Sequence, residues 1–95
     1  MTKDYILDER YCLHLKRDHN TFHYSVYKTA PVERVYFSSL IVFDADCRSE
    51  QDLMEMVCRY AAVDFNSHIR EIREATEEDI TDLLKSRIEK EEKLW

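Results

Sequence analysis

The chain is 95 residues long, carries 20 acidic against 14 basic residues for a formal charge of −6, and contains no glycine. Without glycine it cannot build the close backbone cradle of a P-loop or a dinucleotide fingerprint, nor the nucleophile elbow of an α/β-hydrolase. Its length sets a single domain over residues 1–95 with one modest core, and its 44% hydrophobic and 12% aromatic content excludes wholesale disorder.

Residues 2–9 carry only a weak helical signal, which leaves a short N-terminal helix or a strand open there. They include no apolar stretch of signal-peptide length. Residues 10–43 alternate between polar and apolar types as strands do. A hairpin of Tyr11–Arg17 with Phe22–Lys28 across Asp18-His19-Asn20-Thr21 sets Leu15 opposite Tyr24 and Leu13 opposite Val26. Ala30-Pro31 then turns the chain into a third strand, Val32 to Phe43, with Val26 facing Val35 and Tyr24 facing Phe37. One register thus collects Leu13, Leu15, Tyr24, Val26, Val35 and Phe37 on one face of a three-stranded antiparallel meander. The other face carries Cys12, His14, Lys16, His23, Ser25, Tyr27, Arg34, Tyr36 and Ser38. A slip by one residue would exchange the two faces. Leu40-Ile41-Val42-Phe43 is apolar on both faces, which predicts a cover for it and points to a homodimer contact.

Ser49 is placed as an N-cap with Asp52 three residues on. A helix follows with Met54, Val57, Cys58, Ala61, Phe65, Ile69 and Ile72 on one stripe and a break near Asp64-Phe65-Asn66-Ser67. Thr76 is a second N-cap with Asp79 at the capping-box position. The helix after it presents Ile80, Leu83, Leu84, Ile88 and Trp95 on its apolar face. The expectation is an α+β domain: a three-stranded meander followed by two helices packed on one face, in the order (α)βββαα. Leu13, Val26, Val35 and Phe37 should meet Val57, Ala61, Phe65 and Ile69 in its core.

The charge is unevenly distributed. Residues 1–48 hold seven basic and seven acidic residues, whereas residues 49–95 hold seven basic and thirteen acidic ones, so the whole −6 lies in the second half. Its densest part is the run from Glu71 to Asp82, where Glu71, Glu74, Glu77, Glu78, Asp79 and Asp82 stand against one base, Arg73. Such a field repels nucleic acid and attracts a protein with a basic surface. The plainer reading is a solvated face with acids suited to a helix N-terminus.

On the outer sheet face Lys16, His23, Tyr27, Arg34 and Tyr36 interleave basic and aromatic groups, the pattern by which sheets stack single-stranded bases. Cys12, His14 and His23 on that face lack the spacing and the fourth ligand of a zinc site. Asp44-Ala45-Asp46, near Glu50 and Asp52, reads as a loop leading into a cap rather than a magnesium or acid–base pair. Ser38, Ser39 and the cysteines have no histidine at a spacing that implies a nucleophile and its base. Three cysteines without a Cys-x-x-Cys spacing suit structural thiols in a reducing compartment, and no segment approaches the ~18 apolar residues of a membrane span.

These features point away from an enzyme, a cofactor and a metal, and towards a cytoplasmic protein-binding module. In shape and charge the expected architecture is similar to small phage-encoded inhibitors, including anti-CRISPR proteins that imitate DNA. That resemblance implies a chain that docks on a nucleic-acid-binding enzyme and blocks or adapts it, with the six carboxylates of residues 71–82 as the contact. The alternatives are a single-stranded RNA or DNA binder using the sheet face and a structural subunit of a homo-oligomer.

Overall fold

A computed structural model describes residues 2–41 and 49–83. Four strands follow one another along the chain, β1 (Thr2–Leu7), β2 (Tyr11–Asp18), β3 (Thr21–Thr29) and β4 (Val32–Ile41). Helix α1 (Glu50–Phe65) comes next, then a short strand, β5 (Ile72–Glu74). Residues 77–83 form a helical segment, α2. All pairings are antiparallel, in the order β4-β3-β2-β1-β5. The domain is therefore α+β, with five strands where the sequence pattern predicts three.

Of the two alternatives open for residues 2–9, the strand is the one formed, followed by a turn. Tyr5 and Leu7 face α1 while Ile6 faces the other side of the sheet, and all three are buried. A central strand covered on both faces reads as a plain apolar run, which hides its alternation. The turn into β2 places Asp8 and Glu9 at φ 49° and 60°, and the Arg10 N–H donates to the Leu7 carbonyl at 3.1 Å. This is the type I′ arrangement that suits the twist of a hairpin. In a glycine-free chain it falls on residues with a Cβ, at a cost of roughly 1–2 kcal/mol each. His19, in the β2–β3 turn, is left-handed as well, at φ 54°.

The β2–β3 hairpin has the expected register, with Leu13 opposite Val26, Leu15 opposite Tyr24 and Arg17 opposite Phe22. The β3–β4 register agrees only from Thr29/Val32 to Tyr27/Arg34. A bulge then inserts Val35, so that Val26 faces Tyr36, Tyr24 faces Ser38 and Phe22 faces Leu40. One extra residue exchanges the faces of the remaining strand. Val35 and Phe37 are accordingly on the outer face, 41% and 54% exposed, and are not core. Tyr36 and Ser38 move to the α1 side. Leu40 is half-buried against the core and Ile41 is exposed, while Val42 and Phe43 lie outside the described residues.

Helix α1 is capped by Ser49, whose hydroxyl accepts from the Asp52 N–H at 3.2 Å, and ends at Phe65. Leu53, Met54, Val57, Cys58, Ala61 and Ala62 recur at helical spacing and close over Leu13, Leu15, Phe22, Tyr24 and Val26. Arg17 lies over the Phe22 ring and pairs with Glu50 at 3.2 Å, joining the end of β2 to the start of α1. Tyr36 stacks on Tyr24, and both hydroxyls donate to Asp64, which holds that carboxyl below its ordinary range. Ile69 still packs against the core, but Ile72 belongs to β5 and is exposed.

The two helices do not share a face. Ile80 and Leu83 of α2 line a cavity with Asp4, Cys12, His14, Tyr27 and Val32, on the side of the sheet opposite α1. The reason is the burial of Ile6, Cys12 and Val32, three apolar side chains on the outer face that one helix alone could not cover. Leu84, Ile88 and Trp95 lie outside the described residues.

Candidate functional site

The acidic edge is built by turn chemistry. The Asp8 carboxylate accepts from the Glu71 N–H at 2.7 Å and from the Arg70 N–H at 3.1 Å, while the Asp8 N–H donates to the Glu71 carbonyl at 3.0 Å. This clasp delivers β5 to the side of β1, where Glu74 stands opposite Tyr5. The Ala75 N–H then donates to the Asp4 carbonyl at 2.9 Å and fixes the exit from β5. Thr76 and Asp79 form a complete capping box: the Asp79 N–H donates to the Thr76 hydroxyl at 3.3 Å, and the Thr76 N–H donates to the Asp79 carboxylate at 2.8 Å. Arg73 binds the same carboxylate through two N–H groups, at 2.7 and 3.2 Å. The guanidinium, followed by the Thr76 donors, holds the Asp79 carboxyl well below the usual carboxylate range.

The six carboxylates thus divide. Asp79 is consumed by its cap and by Arg73. Glu74 pairs with Lys3 at 3.6 Å and, being opposite Tyr5, points to the α1 side of the sheet. It does not join the acids of α2. Glu71 is exposed, with its backbone held by Asp8. Glu77, Glu78 and Asp82 stand together on α2, exposed, and none has an ion pair among the described residues. Glu78 and Asp82 are four residues apart and so lie on one ridge, where like charges repel unless a cation sits between them.

The outer sheet face also changes. Lys16, His23, Tyr27 and Arg34 are on it, but Tyr36 is not, because the bulge turns that ring towards Tyr24 and Phe65. Phe37 takes its place, with the Arg34 guanidinium 5.1 Å from the ring centroid. His23 is hydrogen-bonded to the Ser39 hydroxyl at 2.8 Å. Two functional groups escaped the sequence pattern. The doublet Asp8-Glu9 between two apolar runs is a turn signal that marks Asp8. Nothing in the run Val35-Tyr36-Phe37 marks which residue is the bulge.

The zinc trio is not assembled. Cys12 is buried, and burial pushes its thiol up to about 12, far from a ligating thiolate. His23 engages Ser39, and His14 engages Asp4 at 2.7 Å. No cluster with metal-holding composition is found among the described residues. Asp44, Ala45, Asp46 and Cys47 lie outside them. Cys58 is buried in the core with its thiol also raised to about 12 by burial.

The His14–Asp4 pair sits at the edge of the cavity beneath α2, about 270 Å³ in volume. Its hydrogen bond to Asp4 raises the His14 pKa above 6.5, against the opposing effects of burial and of nearby Lys16. The folded chain therefore holds this proton more tightly than the unfolded chain. The stabilisation is present below 6.5 and is lost as pH rises through the raised value. Melting curves from about pH 5.5 to about pH 8 should show a decline in the native chain that His14→Gln lacks. Parallel profiles for the two chains would show the pair to be silent.

Comparison with protein-family models, with curated proteins and with solved structures gives no match to this chain. Among the described residues no helix is long and apolar enough to cross a membrane.

Proposed function

We propose that the chain is a cytoplasmic protein-binding module that docks on a basic surface and blocks or adapts its owner. A nucleic-acid-handling enzyme is the favoured class of partner, since its substrate groove is basic. The observation that carries this reading is the division of the acidic run. Asp79 and Glu74 are paired within the chain, whereas Glu77, Glu78 and Asp82 remain exposed on one helix, whose first turn is closed by the capping box and tied to Arg73. A cation supplied by a partner would relieve their mutual repulsion.

Affinity capture with the tagged chain tests the reading. A stoichiometric partner should be retained at low salt and released as salt is raised. It should be lost with the triple change Glu77→Gln, Glu78→Gln and Asp82→Asn, which leaves the melting temperature nearly unchanged because the charges are exposed. A partner that binds the triple variant as well as the native chain would refute it.

A second reading has its own observation, the Arg34 guanidinium stacked on exposed Phe37 beside Tyr27, His23 and Lys16. That surface could hold a single-stranded oligonucleotide. Fluorescence anisotropy with a labelled oligonucleotide at low salt separates the two. Micromolar binding abolished by Tyr27→Ala and Phe37→Ala would put nucleic acid first.

A further inference from the structure

We propose that two copies of the chain pair antiparallel through the outer edge of β4, about a two-fold axis at Ser39, to form one continuous sheet. Strand β4 is an edge: β3 covers one side, and no strand pairs with the other among the described residues. The usual protections of an edge are missing from most of its length. Residues 35–41 contain no charge and no proline, and the bulge lies at Val35, leaving the stretch after it regular. Phe37 and Ile41, on the outer face of that stretch, are 54% and 67% exposed.

The occupant follows from symmetry and from charge. A two-fold axis normal to the sheet keeps outer faces together, so paired residues must have the same parity. Centring it on Ser39 places Phe37 opposite Ile41 of the second copy, and Ile41 opposite the second copy's Phe37. The two exposed apolar groups of the edge then cover each other as aromatic and β-branched cross-strand pairs. On the inner face Ser38 meets Leu40. No other axis within the regular stretch matches Phe37 with Ile41.

The charge distribution supports the same arrangement. Glu71 and Glu74 lie at β5, the edge of the sheet opposite β4. Joining two β4 edges leaves the two β5 edges nine strand spacings apart, about 43 Å at 4.8 Å per strand. That is several times the ~8 Å Debye length at physiological salt. Pairing through β5 would instead bring the acids face to face over three residues.

The proposal is independent of the acidic docking reading and fails separately from it. Sedimentation equilibrium of the full chain at tens of micromolar should give a dimer. Phe37→Lys with Ile41→Lys, both at exposed positions, should give a folded monomer by circular dichroism and sedimentation. In a Cys47→Ser background, Ser39→Cys should oxidise to a disulfide-linked dimer, because the residue meets its own copy across the axis. Ser38→Cys, facing Leu40 of the second copy, should stay unlinked. A native chain that sediments as a monomer overturns the proposal, including the case in which β4 instead receives a strand from another protein. So does a dimer that survives the double lysine change, or one in which Ser38→Cys links as readily as Ser39→Cys.

Discussion

Phe22→Ala should lower the unfolding free energy by about 3–5 kcal/mol, while Phe37→Ala should change it by no more than about 0.5 kcal/mol. Phe22 is fully buried between Leu40 of β4, Arg17 of β2 and the core beneath α1. Truncation removes its transfer free energy and leaves a cavity that a close-packed interior fills poorly. Phe37 stands on the other side of the bulge, more than half exposed, with the Arg34 guanidinium against its ring. Urea unfolding of the two variants, on chains dilute enough for association to add nothing, measures the difference. Equal losses at the two positions would place Phe37 in the core and remove the bulge.

Asp8→Ala should cost about 2–3 kcal/mol, the scale of charge-assisted hydrogen bonds to backbone N–H groups. The variant loses the acceptor for Arg70 and Glu71, and alanine tolerates φ 49° less well than aspartate does. Asp8→Asn keeps one acceptor oxygen and the tolerance for a left-handed backbone, so it should cost clearly less. The loss should also be local. Amide exchange should accelerate first in residues 70–75, with the β2–β3 hairpin still protected. Uniform acceleration across the sheet would mean that the clasp does not act on β5 in particular.

The contrast between Phe22 and Phe37 shows where sequence patterning succeeds. The β2–β3 register was legible because both strands alternate cleanly and a short turn between Asp18 and Thr21 leaves one way to pair them. In β4 the large residues Val35, Tyr36 and Phe37 are consecutive, so either parity looks apolar. Only the bulge, a property of the paired backbone, decides between them. Strand β1 was hidden because Tyr5, Ile6 and Leu7 are all buried, on two faces. Strand β5 was hidden because Ile72, Arg73 and Glu74 are all exposed and the helical period runs on through them. At the acidic edge the Thr76–Asp79 cap could be read from spacing alone. The diversion of Glu74 to the far side of the sheet could not, since it depends on Tyr5 as its neighbour.

The chain-order pairing of the sheet also bears on how the protein assembles. Strands β1 to β4 form three successive hairpins, each closed by a short turn, so most of the sheet can zip up from local contacts at little loop-closure cost. Strand β5 must instead bring residues 72–74 back to residues 5–7, across about two thirds of the chain, for three residues of pairing. It is the last strand expected to join and the first to leave. The Glu77-to-Asp82 ridge hangs from that late piece through the Arg73–Asp79 pair, so its presentation rests on the longest-range strand pairing among the described residues. A ligand that gripped the ridge would act as a latch, tightening the slowest-formed part of the fold without touching its core.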